Sequence, residues 1–356
     1  MRQPLFRPLR PLERRGVARF PAPVVTVAMA LVLAACGTSV ATPVPSQPGG
    51  PAASGVAPTT VALRATGEPA ATFPLTLTDD DGNQVRLAAV PKAIVSLTPA
   101  ATETLYALGV GDRLVGKVED FAVFPPEAAK VPDVAKFGSV DVERIVALHA
   151  DLVIAGGNDF NPPAEIARLR TLGIPVLTIY GPNLATALAD IQLIGQAVGR
   201  AGQGSALVSD LKATFARVRD AVKGLARPRV YYELDASNGY WGPAPDYFGV
   251  EMIQLAGGTP LTSGTAGAFQ IPEEMIIAFD PEVILLGDAA YGVTPDQVAA
   301  RGPWAGLTAV KTRAIRPVDD VIITRPGPRL GLGLADLARA IHPGLVLEIA
   351  SSSKAP

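Results

Sequence analysis

Residues 202–224 read GQGSALVSDLKATFARVRDAVKG. Apolar side chains recur at Leu207, Leu211, Phe215, Val218 and Val222, in steps of 4, 4, 3 and 4, the period of one helix face. Asp210, Lys212, Arg217, Arg219, Asp220 and Lys223 fall on the other face. No proline interrupts the run, and Gly224 stands where a C-terminal cap belongs. At 1.5 Å per residue such a helix spans roughly 33 Å, the width of a small domain. Alternating strand and helix patterns lie on either side of it. Two readings fit: an ordinary amphipathic helix within one domain, or a single rigid strut between two α/β lobes. The flanking sequence favours the strut.

The chain has 356 residues, enough for two compact domains. A net charge of -2 gives no basic field for nucleic acid and no acidic field for cationic partners. No repeat with a period of about 20–50 residues is visible. One cysteine forbids an intrachain disulfide, and two histidines limit any histidine-based metal or catalytic site.

Residues 1–20 hold six arginines and one glutamate, and residues 22–35 (APVVTVAMALVLAA) hold no charge. A basic segment before a short apolar one is the pattern of a secretory signal peptide. The run is shorter than the ~20 residues that span a bilayer. It ends in Leu33-Ala34-Ala35-Cys36-Gly37, which resembles the bacterial lipoprotein signal, cleaved before a cysteine that is then lipidated. Arg14-Arg15 is a weak match to a twin-arginine signal. Residues 36–72 are rich in Pro, Ala, Thr, Ser and Gly without an apolar face and read as a disordered tether. The expected organisation is a signal peptide over 1–35, a tether over 36–72 and an N-terminal lobe over 73–181. Connecting helices over 182–225, a C-terminal lobe over 226–345 and a tail over 346–356 complete it.

In the first lobe, residues 73–87 suggest a small β-hairpin. Short apolar strands follow near 93–97, 114–118, 151–155 and 175–180, separated by helical patterns. Thr98 and Asp141 stand as helix caps, Thr98 with Pro99 behind it. Strands alternating with helices predict a mostly parallel sheet covered on both faces, with ligands at the carboxyl ends of the strands. Those ends are Ser96 to Thr98, residues 119–124, Gly156-Gly157-Asn158 and Tyr180-Gly181.

Ile94-Val95-Ser96-Leu97-Thr98-Pro99 with Ala101-Thr102-Glu103, then residues 108–116 (LGVGDRLVG), resemble one exported family. So do Phe124-Pro125-Pro126-Glu127-Ala128, residues 142–148 (VERIVAL) with Asp151-Leu152-Val153-Ile154, and Leu255-Ala256-Gly257-Gly258. The family is that of the substrate-binding proteins of ABC importers for cobalamin, ferric siderophores and haem, and the resemblance runs over about residues 73–343. It implies two Rossmann-like lobes joined by one long helix, with the ligand cleft between them. It also implies a monomeric, extracytoplasmic, lipid-anchored protein without a cofactor of its own, partnered by a permease and an ATPase. The ligand expected first is cobalamin or a related corrinoid, with ferric siderophore or haem as the alternative.

The second lobe repeats the pattern. A strand at 228–234 and a Tyr240- and Trp241-bearing loop come first, then a helix over 247–255. Pro272 starts the next helix, and residues 280–287 (DPEVILLG) mirror the strand that begins at Asp151. A final strand lies near 315–318, and a helix ends at Ile341.

Several aromatics fall in expected loops: Phe121, Phe124, Phe137, Tyr240, Trp241, Phe269 and Tyr291. A flat ring such as a corrin or porphyrin buries area against such side chains at little entropic cost. By the resemblance, Phe121 and Phe137 stand where cobalamin-binding relatives carry ring-contacting aromatics, and Gly156 stands where some have tryptophan. Ser96, Thr98, Tyr240, Trp241, Phe269, Tyr291 and Arg325 complete the expected ligand-contacting set. Arg325 and Arg329 flank a Pro-Gly turn and suit either a ligand anion or solvent. Glu143 and Glu274 open one helix in each lobe, and the resemblance makes them permease-docking points. The alternatives are solvated carboxylates favoured by the helix dipole, or the paired acids of a surface hydrolase, which need ~5–9.5 Å between them. His149 and His342 end helices and do not make a metal site. Gly327, Gly331 and Gly333 lack dinucleotide-binding spacing, and no Walker motif is present.

Overall fold

The computed structural model describes residues 72–157, 160–262 and 270–349. The signal peptide, Cys36, the tether up to residue 71 and Phe269 lie outside the described residues.

The hairpin is β1 (Leu75–Thr78) and β2 (Gln84–Leu87), antiparallel from Leu75↔Leu87 to Thr78↔Gln84. The first lobe continues as β3 (Ile94–Ser96), α1 (Pro99–Ala107), β4 (Leu114–Val118), β5 (Asp133–Lys136), β6 (Ser139–Val140) and α2 (Val142–Ala147). It closes with β7 (Leu152–Ala155), α3 (Pro163–Thr171) and β8 (Val176–Thr178). Its sheet runs β6-β5-β4-β3-β7-β8, parallel except where β6 turns back on β5. Strands β3 and β7 are buried at every position, which is why they read as unbroken apolar runs rather than alternating ones.

Two helices leave this lobe, α4 (Leu184–Ala197) and α5 (Ala201–Ala221). Leu184, Leu188 and Ile191 of α4 join the core of the second lobe, whereas Ile194, Ala197 and Val198 join the core of the first. The expected strut is α5, 21 residues long, or about 32 Å. It lies against α4, with glycines at the crossing. A Cβ at Gly195 would stand 3.2 Å from the Cα of Gly204, so a side chain there would require the helices to part by a few tenths of an ångström. The buried face differs from the sequence reading by one position. Val208 is buried and Leu207 only partly so, because the stripe that meets α4 starts at Gly204. Gly224 has φ +84°, as a residue just past a helix end should.

The second lobe holds β9 (Arg229–Glu233), β10 (Tyr240–Trp241), α6 (Phe248–Leu255), β11 (Thr259–Pro260), β12 (Gln270–Ile271) and α7 (Glu273–Phe279). After them come β13 (Val283–Leu286), α8 (Pro295–Ala299), α9 (Thr308–Lys311), β14 (Ile315–Pro317), α10 (Asp320–Thr324) and α11 (Leu330–Ile341). Its sheet runs β11-β9-β13-β14, all parallel. That order repeats β4-β3-β7-β8 of the first lobe, so α2–β7 and α7–β13 are equivalent units. Helices α8 to α10 and the β5–β6 ribbon have no counterpart in the sequence reading. Each is five residues or fewer, too short to show a period. Among the described residues no helix is long and apolar enough to cross a membrane.

The two arginines expected at a ligand anion or in solvent instead join the lobes. Arg325 donates to Asp120 at 2.6 and 2.9 Å and to Glu103 at 3.0 Å, while Arg329 grips Glu103 at 2.6 and 2.7 Å. Glu103 on α1 is buried and both arginines are nearly so. Sequence reasoning could not find this pairing, because more than 200 residues separate the partners.

Candidate functional site

The carboxyl ends of the first-lobe strands form one wall of a cleft of about 470 Å³, within the usual size for a small-molecule site. Ser96 ends β3 but does not reach the cleft. It is fully buried, donating to the Thr98 carbonyl at 2.9 Å and accepting from Thr102 at 2.9 Å. Thr98 is on the wall, and its hydroxyl caps α1 through the Ala101 amide at 3.2 Å. Beyond β4 the wall continues through Asp120 and Phe121, and the tight β5–β6 turn presents Phe137. Gly156 and Gly157 follow β7. Buried Asn161 pins that loop, accepting from the Gly156 amide at 2.7 Å. A Cβ at Gly156 would stand 2.7 Å from Thr98 and 3.1 Å from Phe160. The bare backbone therefore makes room for Phe160, whose ring meets Phe137 edge-on at 5.8 Å.

The second lobe supplies Tyr247, Tyr291, the α10 residues Asp320 and Thr324, and Arg325 just past the end of that helix. Tyr247 donates to the Thr324 carbonyl at 3.1 Å, and burial holds its pKa above the ordinary phenol value. Asp320 accepts from Tyr232 at 2.5 Å. Burial raises its pKa, against the opposing pull of that hydrogen bond. Tyr291 faces Phe121 across the cleft at 5.9 Å. Three rings here are largely exposed, Phe121 at 76%, Phe137 at 74% and Tyr291 at 63%. Large apolar faces left open together mark binding surfaces rather than core.

Of the expected ligand set, Thr98, Phe121, Phe137, Tyr291 and Arg325 come together on this cleft. Arg325 arrives with its guanidinium already engaged by Asp120 and Glu103. Tyr240 and Trp241 lie elsewhere, on the small β10–β12 ribbon. The Tyr240 ring packs 4.9 Å from Trp304 and its hydroxyl donates to Glu273 at 3.0 Å, while the Trp241 indole donates to the Asn238 carbonyl at 3.2 Å. Phe124 packs under Arg329 at 4.4 Å. Tyr180 lines the cleft from one of the expected strand ends, and Phe160, Tyr247 and Asp190 line it from outside the expected set. Asp190 left a trace in the sequence: it interrupts the apolar stripe of α4 between Ala187 and Ile194.

Glu143 and Glu274 are exposed in the first turns of the equivalent helices α2 and α7. Glu143 pairs with Arg168 at 2.7 Å, where solvent weakens such a bridge. His149 is exposed at φ 52°. His342 turns back onto the chain: its Nε2 donates to the Ala256 carbonyl at 3.1 Å, and burial lowers its pKa. No group of three or more His, Cys, Asp and Glu suited to a metal occurs among the described residues.

Residues 94–321 match the family model described as periplasmic binding protein. The chain belongs to that family. It is similar to the uncharacterized ABC transporter substrate-binding lipoprotein YvrC of Bacillus subtilis, at 32% identity over 76% of this chain and 86% of that protein. It is also similar to a cobalamin-binding protein of Halobacterium salinarum, at 30% identity over 82% of this chain and 80% of that one. Among solved structures it resembles the apo form of a periplasmic heme-binding protein, RhuT from Roseiflexus sp. RS-1. The TM-score is 0.64 at 28% identity, covering 70% of this chain and 98% of that one. These are binding proteins rather than enzymes. As a family member this chain is a substrate-binding protein of the class that serves ABC importers, working outside the cytoplasm.

Proposed function

We propose that this protein captures cobalamin or a related corrinoid in the cleft between its lobes and delivers it to an ABC permease. The observation that carries the reading is the set of open aromatic faces: Phe121, Phe137 and Tyr291, backed by Phe160 and Tyr247. Rings of this kind suit a broad flat guest, held by buried area rather than by bonds to its metal. Charge favours a corrinoid over the other two guests. Arg325 is the one basic residue among the described cleft residues, and Asp120 and Glu103 neutralise it. Glu119, Asp190 and Asp320 are acidic. A haem with two propionates, or an anionic ferric catecholate, would meet unfavourable charge; a corrin rimmed with neutral amides would not.

In this reading Cys36 carries the lipid, residues 1–35 are removed and residues 36–72 tether a monomer to the outer face of the membrane. Glu143 and Glu274 set the docking register on the permease as two fixed anionic points, one per lobe. Their exposed places on separate lobes suit a partner surface better than a hydrolytic pair. Absorbance titration of the purified protein with cyanocobalamin, haemin and a ferric siderophore tests the ligand. Micromolar or tighter binding of the corrinoid alone is expected, and preference for either other ligand would overturn it. Replacing Glu143 and Glu274 together by alanine should abolish corrinoid uptake by cells while leaving binding to the purified protein intact. Uptake that persists would refute the docking role.

A further inference from the structure

Asp190 is a carboxyl group in an apolar wall. It projects from α4, is 2% exposed and yet lines the cleft. Apart from the neighbouring Asp80 carboxyl, its Oδ1 has no hydrogen-bond partner. Asp80 comes from the turn of the N-terminal hairpin, where it accepts from the Tyr180 amide at 2.5 Å. Burial first, and Asp80 second, push Asp190 up to about 8, and burial raises Asp80 as well, with Asp79 and Asp81 adding to the effect. Among the described residues no base relieves the pair: Arg170 is held by Asp79 at 3.1 Å, and Arg325 by Asp120 and Glu103. Two carboxyl groups in contact, one of them buried, hold a single proton between them near neutral pH.

Such a pair has a defined selectivity. It offers oxygen lone pairs to a donor and carries one net negative charge. A primary carboxamide on the rim of a ligand brings two N–H groups and satisfies it. A carboxylate at the same point brings no donor and a second negative charge into a poorly solvated wall, and a buried site built for a donor rejects an analogue without one. Resting on the corrinoid reading above, we propose that Asp190, positioned by Asp80, selects a peripheral carboxamide of the ligand over a carboxylate. The ligand class is thereby narrowed to flat macrocycles bearing amide arms.

The test uses the full chain purified in detergent, with cyanocobalamin and its three monocarboxylic acids, each with one peripheral amide hydrolysed. Dissociation constants are measured at neutral pH by equilibrium dialysis. Against the wild type, one of the three acids should bind at least about tenfold more weakly than cyanocobalamin. Asp190→Asn, which keeps the shape and puts an N–H donor where the pair offered only acceptors, should bring that acid to within about threefold of cyanocobalamin. Asp190→Leu should weaken cyanocobalamin itself by about tenfold, having lost the acceptor. Equal binding of all four corrinoids by the wild type would overturn the selector while leaving the corrinoid reading in place, and this arm needs no variant. Discrimination that survives in Asp190→Asn would overturn it too. Failure of the wild type to bind cyanocobalamin would instead overturn the corrinoid reading, and the selector with it.

Discussion

The two lobes share a four-strand order, β4-β3-β7-β8 and β11-β9-β13-β14, but use their strand ends differently. In the first lobe the loops after β4, β7 and β8 open onto the cleft with Phe121, Phe160 and Tyr180. In the second, the corresponding chemistry turns inward. Glu233 ends β9 fully buried, gripped by Arg301 at 2.6 and 2.8 Å, and Asp288 lies beside it, pushed by burial to about 6. The second lobe reaches the cleft mainly through α10 and the turn carrying Tyr291. Shared topology thus places candidate sites at both sets of strand ends, while packing decides which set faces the ligand. The first lobe contributes most of the ring faces, and the second contributes Tyr247, Tyr291 and the arginines that join the halves.

The largest test of this contrast is the junction itself. Glu103→Ala leaves Arg325 and Arg329 without a shared buried partner, and removing one member of a buried pair costs about 3–5 kcal/mol. Urea unfolding should show that loss, and a loss under about 1 kcal/mol would mean that the junction is solvated and the lobes are held by α4 and α5 alone.

Next is the aromatic wall. Phe137→Ala and Phe121→Ala should each weaken corrinoid binding by about tenfold or more, the equivalent of ~1.5–3 kcal/mol for a buried ring. Tyr291→Ala should cost less than either, because its lobe supplies fewer ring faces. An equal or larger effect at Tyr291 would erase the division of labour.

A third test uses pH. Asp190 has an ordinary value of 3.8 and lies near 8 in the folded protein. The folded state therefore binds this proton more tightly than the unfolded state. The resulting stabilisation is full below the ordinary value and is lost as pH rises towards 8. Asp190→Asn removes the dependence, so its melting temperature relative to the wild type should be higher at about pH 8.5 than at about pH 5. A constant difference would show that Asp190 is ionised throughout.

The smallest effect is expected at Trp241→Ala, whose indole satisfies its own loop. Corrinoid affinity should change by less than about threefold, or ~0.7 kcal/mol. A larger loss would return the β10–β12 ribbon to the ligand site.

How far the site could be read varies with how far its partners lie along the chain. Phe121, Phe137 and Tyr291 were legible because loop aromatics beside strand ends are a local pattern. Phe160 and Tyr247 were not, since nothing near them in sequence shows which way a ring turns. Ser96 was misplaced for a related reason. A strand end marks the cleft's neighbourhood, but the hydroxyl was taken by the first turn of α1.

The sequence by itself determined the alternation of strands and helices, the repeated lobe, the long α5 and the family, because these depend on period, caps and motif order within short windows. Tertiary structure alone decided that Arg325 and Arg329 clasp Glu103, that Tyr240 packs on Trp304, and that Asp190 meets Asp80 beside the cleft. Each of those depends on side chains brought together from distant parts of the chain, where burial and the few available partners fix charge and direction.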